Sequence, residues 1–175
     1  MAVVRKARRA GADDPLDAAL VDRVRAILAL GGVPHADLQD GVQQVRLRLL
    51  ESRAKGRGAP RSTAAWCAVV ASNIAVDWHR ERRRRERLDE RLTALRPWDT
   101  GQPAGEEARV LSLSVAEGLE ELPLPQRQVL VLRFYADLPV ADIAEALEIP
   151  EGTVKSRLHA AVRALRARLH TDEVV

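Results

Sequence analysis

The sequence predicts an all-α protein of two small helical domains joined by a flexible linker. Hydrophobic residues make up 46% of the 175-residue chain, yet the aromatics are only three Trp, one Tyr and one Phe. A core of Leu, Val and Ala follows, which favours helices over a sheet. Apolar residues recur at spacings of three and four through each long segment, the mark of amphipathic helices. Between two such regions, RPWDTGQPAGEEA (96–108) holds two prolines, two glycines and no periodicity, which reads as a tether. The expected organisation is a basic tail at 1–14, a first domain at 15–92, a linker at 93–109 and a second domain at 110–170.

Taken in order, MAVVRKARRAGADD reads as a loose basic tail. From Pro15 to Leu30, the residues Leu16, Leu20, Val24, Ile27 and Leu28 keep helical spacing, and Gly31-Gly32-Val33-Pro34 ends that helix. Asp37 is placed to cap the next, which runs through Val42, Val45, Leu49 and Leu50. ESRAKGRGAPRS (51–62) is polar, basic and Gly-containing, hence a loop. Ser62 or Thr63 caps a third helix through Trp66, Val69, Val70, Asn73, Ile74, Asp77 and Trp78, continuing into RERRRRER at 80–87. The second domain divides into helices near 111–121, 125–135, 139–147 and 151–169.

The last two of these form a helix-turn-helix. Val140, Ile143, Ala144 and Leu147 make one apolar stripe; the chain breaks at Glu148-Ile149-Pro150, because the residue before proline is pushed out of the helical region. The following helix buries Val154, Leu158, Ala161, Val162 and Leu165 and leaves Lys155, Ser156, His159 and Arg163 outside. From Lys155 to His170 there are five Lys or Arg and no acid. A cationic second helix after a short turn has the form that enters the major groove of DNA.

Charge is more informative by position than in sum. The whole chain is only +3, but residues 80–87 carry six Arg and two Glu, whereas 99–121 carry six acids and Arg109. Basic blocks on either side of an acidic middle suggest separate DNA-facing surfaces. A single cysteine, Cys67, excludes an internal disulfide and a cysteine-rich metal site, and its apolar neighbours suit a buried, inert thiol. No apolar run approaches the ~20 residues that span a bilayer, and no apolar segment follows the basic N-terminus as in a secretion signal; a cytoplasmic protein is expected. No phosphate-binding glycine loop or His–carboxylate pairing at ligand spacing points to an enzyme, a metal or a cofactor, and His35, His79, His159 and His170 share no helical face.

The chain resembles the extracytoplasmic-function (ECF) sigma factors of the bacterial sigma-70 family, over roughly residues 16–92 and 110–169. The longest run is LPLPQRQVLVLRFYADLPVADIAEALEIPEGTVKSRLHAAVRALRARL. A helix ending in Arg133-Phe134, the Ile143-Ala144 helix and Gly152-Thr153-Val154-Lys155-Ser156-Arg157-Leu158 carry it there. Response-regulator DNA-binding domains share that pattern, and two further stretches decide. Asp40-Gly41-Val42-Gln43-Gln44-Val45 resembles the segment that docks on the polymerase β′ subunit; Trp66 to Asn73, Ala75 and Asp77 before the arginine block resemble the segment that opens the start-proximal promoter element.

The resemblance implies a sigma region 2-like domain and a sigma region 4-like helix-turn-helix domain. Its partners would be core RNA polymerase (β′ and β), promoter DNA and, commonly, an anti-sigma factor; a membrane and a small-molecule substrate are not among them. It assigns polymerase binding to Asp40, Gln43, Gln44 and Val45. It assigns the −10 element to Lys55, Arg57, Arg61, Asn73, Asp77, Trp78, Arg80, Arg83 and Arg84. It assigns the −35 element to Arg133, Thr153, Lys155, Ser156, Arg157, His159 and Arg163. The residue types agree. Asp40, Gln43 and Gln44 share a polar face, and the Asn73 carboxamide both donates and accepts, as an unstacked base edge requires. Arginines, Arg82 included, hold phosphates without reading sequence. Trp66 fits the core by its spacing to Val69 and Val70, whereas Trp78 suits either core or base stacking. Departures from the pattern are Ala160 at a frequent DNA-contacting arginine, Glu148 at a usual glycine, Arg46 at a usual aromatic and Gln44 at a common acid. The competing expectation is a helix-turn-helix regulator that binds DNA without replacing the sigma factor.

Overall fold

A computed structural model describes residues 15–55, 62–93 and 118–172, with side chains to Arg87 in the second stretch and to Arg168 in the third. The N-terminal tail, Arg57 and Arg61, the linker beyond Thr93 and the first part of the helix expected near 111–121 lie outside the described residues.

Three helices make the N-terminal unit: α1 (Ala18–Leu30), α2 (Leu38–Ala54) and α3 (Thr63–Thr93). Asp17 caps α1, its carboxylate accepting from the Leu20 N–H at 2.7 Å. Ser62 caps α3 in the same way, accepting from the Ala65 N–H at 3.1 Å. Side-chain acceptors at these positions satisfy N–H groups that a helix's first turn leaves unpaired. Asp37 does not do this for α2. Its carboxylate accepts instead from the Trp78 indole N–H at 3.1 Å, so the expected cap serves as a tie between α2 and α3.

The apolar stripes meet as their periods require. Val24, Ile27 and Leu28 of α1, Val42, Val45 and Leu49 of α2, and Cys67, Ala68, Ala71, Ile74 and Ala75 of α3 are all buried. Leu50, expected with them, lies on the outside beside Leu47. Trp66 and Trp78 are half-buried against this core. Burial raises the Cys67 thiol to about 11, so it stays protonated and unreactive.

The C-terminal unit begins in a helical turn at 118–121 and continues through α4 (Leu124–Leu130), α5 (Val140–Leu147) and α6 (Glu151–Asp172). After Leu130 the chain widens into a π turn over Val131–Tyr135. The Ala136 N–H reaches the Val131 carbonyl at 3.0 Å, one residue beyond the α-helical partner. Phe134 and Tyr135 stay exposed on it. Leu119 and Leu122 pack on Ala161 and Leu165, fastening the first turn to α6.

The helix-turn-helix closes as the sequence predicts. The N–H groups of Glu148 and Ile149 return to the carbonyls of Glu145 and Ala144 at 3.2 and 3.0 Å, the pairing that finishes a helix through one left-handed residue. That residue is Glu148, with φ 54° and ψ 42°. A side chain there costs about 1–2 kcal/mol of backbone strain.

The two units share one continuous hydrophobic cluster rather than two separate cores. Val129, Val131, Leu132, Ile143 and Val154 belong to the same buried group as the residues of α1 to α3. The closeness depends on a turn without side chains. A Cβ on Gly31 would lie 2.5 Å from that of Ala75, and Gly32 has φ +87° with Arg127 and His79 directly beside it.

Two substitutions test these backbone constraints. Glu148→Gly removes the left-handed strain and adds unfolded-state entropy, so a net gain of about 0.5–1 kcal/mol is expected in urea unfolding. Gly32→Ala is expected to lose more than 1 kcal/mol by the same measurement.

Candidate nucleic-acid interface

The outer face of α6 carries the first group of candidate residues. Lys155, His159 and Arg163 are exposed one turn apart, and with Arg166 they rim a shallow groove floored by Leu158 and Val162. The Lys155 ammonium pairs with Glu151 at 3.0 Å, one turn earlier on the same helix. Ser156 turns its hydroxyl back to the Thr153 carbonyl at 3.0 Å. Thr153 and Arg157 are half-buried at the edge of this row. Arg166, outside the expected site residues, extends the row of Lys155, His159 and Arg163 by one turn.

Arg133 has another occupation. Its guanidinium donates to the Asp137 carboxylate at 3.4 Å and to the Leu138 carbonyl at 3.3 Å, bracing the turn between α4 and α5. Asp137 is itself left-handed, with φ 53°. One nitrogen of the expected DNA ligand thus braces the turn that aims α5 and α6, while its side chain stays 40% exposed.

The second group follows α3. Asp77 pairs with Arg80 at 3.5 Å, Arg82 with Glu86 at 2.7 Å, and Arg84 and Arg85 with Glu81 at 3.4 and 3.3 Å. These pairs are spaced by three or four residues and face solvent, where such an ion pair is worth well under about 1 kcal/mol. Phosphates can replace the carboxylates at little cost. Arg83 is exposed on the same helix, and Lys55 is exposed at the end of α2.

Between α2 and α3 lies a cleft that brings two expected functions onto one surface. Asp40 and Gln44 line one wall, and Asp77, Trp78, Glu81 and Arg82 line the other. Gln43 is exposed nearby. Val45 is fully buried, so the polymerase contact expected of it is not available; it packs α2 onto the core and sets the angle of the polar face. Trp78 is held on three sides, by Asp37 through its N–H, by the His79 ring at 5.1 Å and by the Arg82 guanidinium at 5.5 Å.

Asn73, the expected reader of an unstacked base, is half-buried where α3 meets α4. Its side-chain oxygen accepts from the Gln128 amide at 2.7 Å, and the same amide donates to the Ser72 hydroxyl at 3.2 Å. One helical turn away the carbonyl of Gly31 takes both His79 Nε2, at 2.9 Å, and Arg127 Nη1, at 3.3 Å. Gln128 and Arg127 have no apparent role in the sequence, because their partners lie 55 or more positions away.

A basic helix-turn-helix beside a second helical unit bearing an arginine ladder defines a DNA-binding protein of the transcription machinery. Residues 110–165 match the family described as Sigma-70, region 4. The chain is 35% identical over 134 residues to the ECF RNA polymerase sigma factor SigL of Mycobacterium tuberculosis, covering 77% of this chain and 75% of that one. It is 28% identical over 139 residues to the ECF RNA polymerase sigma factor SigX of Bacillus subtilis, covering 75% and 70%. The solved structure of the sigma factor RpoE in complex with the anti-sigma factor NepR from Bartonella quintana shares the fold, with a TM-score of 0.62 at 20% identity over 87% of this chain and 93% of that one. The chain belongs to the ECF RNA polymerase sigma factors.

His79 makes a local pH test possible. Burial pushes its pKa below the usual 6.5; the Gly31 carbonyl acts the other way, and Arg127, Arg83 and Arg82 add to the depression. The unfolded chain therefore takes up the proton first. Stability from this group is complete above pH 6.5 and declines as pH falls through the folded pKa. Thermal melts between pH 7.5 and 5.5 are expected to show a falling Tm, and His79→Gln, which still donates to Gly31, should reduce that slope.

Proposed function

We propose that the protein directs core RNA polymerase to promoters through two DNA contacts, one from each helical unit, and has no active site of its own. The exposed row of Lys155, His159, Arg163 and Arg166 on α6 is the observation that carries the reading. Residues 110–170 act as the region 4-like domain, reading the −35 element with Thr153, Lys155, Ser156, Arg157, His159 and Arg163. Arg133, 40% exposed, joins that contact and also braces the preceding turn. Residues 15–92 act as the region 2-like domain, with residues 93–109 as the tether.

In that first domain, Asp40, Gln43 and Gln44 meet the polymerase. Arg80, Arg82, Arg83 and Arg84 exchange their helix carboxylates for phosphates, a sequence-independent contribution. Unstacking a base costs a few kcal/mol, which capture of that base by the Asn73 amide offsets. Lys55, Arg57 and Arg61 act with Asn73 at the same promoter element, as do Asp77 and Trp78 from the cleft between α2 and α3. Because one tether joins both domains, binding at either element raises the effective concentration of the other at its own.

No described helix is long and apolar enough to cross a membrane. Membership of the sigma factors supports a cytoplasmic place of action beside the polymerase. The structural neighbour was solved with an anti-sigma factor bound, and a regulator of that kind would hold this chain inactive by engaging both units.

Run-off transcription by bacterial core polymerase on a library of randomised promoters tests the reading. Discrete start sites are expected only with the protein present. Asn73→Ala should reduce their yield about tenfold or more, the scale of one lost base-reading contact. Arg163→Ala should weaken binding across all sequences and lower the salt slope by about one. Specific retention of duplex DNA by the protein alone, with no transcript depending on it, would replace this reading with that of a regulator.

A further inference from the structure

Trp78 is held in the α2–α3 cleft by contacts that differ in kind. Its indole N–H donates to the Asp37 carboxylate at 3.1 Å, a tie across forty-one positions of sequence. The His79 ring meets it at 87°, with 5.1 Å between centroids. The side chain also packs against the core. Over one face lies the Arg82 guanidinium, 5.5 Å from the ring centroid. An indole with its body packed and its one N–H bonded has little freedom to turn. A base could stack on the face that Arg82 covers only by displacing that arginine.

Arg82 in turn differs from its neighbours on α3. Arg80, Arg84 and Arg85 are held by carboxylates alone, at 3.5, 3.4 and 3.3 Å. Arg82 has a carboxylate, Glu86 at 2.7 Å on Nε, and the indole face as well. The two contacts use different parts of the guanidinium. A phosphate competes with Glu86 for N–H groups, which lie in the guanidinium plane, but not with the ring, which attracts the cation through its flat face. Exchange of Glu86 for a phosphate therefore leaves the indole contact in place. A guanidinium already oriented on a ring loses less freedom when it grips a phosphate through two parallel N–H bonds.

We infer that Trp78 is a positioning residue: fixed by Asp37, it holds Arg82 ready for the promoter backbone and does not itself stack on a base. Asp37 thereby takes part in DNA binding, although it directly precedes the helix of Asp40, Gln43 and Gln44. The wall that meets polymerase and the arginine that meets phosphate are set by one indole between them. This rests on the phosphate-binding role proposed above for the arginines of α3; the Asp37–Trp78–Arg82 geometry itself does not.

Binding of a promoter fragment, recovered from the randomised library, to core polymerase carrying this protein tests the inference when measured at several salt concentrations. Arg82→Ala is expected to weaken binding and lower the salt slope by about one. Trp78→Leu should weaken binding about twofold to fivefold, the scale of an exposed cation–π contact. In the Arg82→Ala background it should add nothing, as expected of two residues that act through one contact. Trp78→Phe, which keeps a ring face, should recover most of the loss. Asp37→Ala, which frees the indole, should weaken binding in the same direction and likewise add nothing to Arg82→Ala; it decides the matter if Trp78→Leu does not fold. A Trp78→Leu loss of equal size without Arg82 overturns the inference in favour of base stacking or plain packing, and full binding by Trp78→Leu overturns it outright. Both of those results leave the arginines' role standing, whereas Arg82→Ala without effect removes Arg82 from that role and the inference with it.

Discussion

The carbonyl of Gly31 is the point on which the arrangement turns. It ends α1, and it receives His79 from α3 and Arg127 from α4. Three elements from both halves of the sequence thus converge on one oxygen. They can do so only because the turn carries no side chain: a Cβ at position 31 would strike Ala75, and Gly32 is in the left-handed region against Arg127. The short side chains of Ala68, Ala71 and Ala75 on the facing stretch of α3 have the same effect. Small residues let backbones approach closely, and that approach brings Gln128 within hydrogen-bonding distance of Asn73.

The two charged surfaces are built differently from this junction. Four arginines of α3 and Lys155 of α6 pair with carboxylates one turn away, in solvent, through contacts worth little each. Such pairs keep a ladder of arginines soluble and helical without committing it. The same groups are then available to phosphates, whose field is far denser. At the junction the opposite holds: Arg127 is buried, its partner is a carbonyl, and its charge is not easily exchanged. One residue type therefore does two jobs, decided by exposure alone.

Where the chemistry is local, the sequence shows it. Ser62 caps α3, Pro150 and the residue before it break α5 from α6, and Glu148 adopts the left-handed conformation expected at a usual glycine position. Ile143, Ala144, Val154 and Ala161 are buried as the apolar period requires, whereas Leu158 and Val162 of the expected stripe floor the open groove on α6. Other side chains meet partners or burial that their residue type does not announce. Asp37 has the type and position of a helix cap, but the Trp78 indole, forty-one residues on, takes its carboxylate. Arg133 reads as a free cation, yet the left-handed Asp137 beside it turns a carboxylate and a carbonyl toward it. Val45 lies inside a motif that resembles a docking segment, and its own place in the helical period buries it.

By itself, the sequence determined the all-α class, the helix boundaries to within a few residues, the helix-turn-helix and the family resemblance. Each depends on period, capping and turn chemistry, interactions that span no more than about one or two turns of chain. Only the tertiary structure decided that the two helical units share one hydrophobic cluster, that Arg127 is buried at their boundary and that Asn73 is held by Gln128. Those facts depend on contacts between residues more than fifty positions apart. Helical period says which face is apolar, but not which other face will cover it.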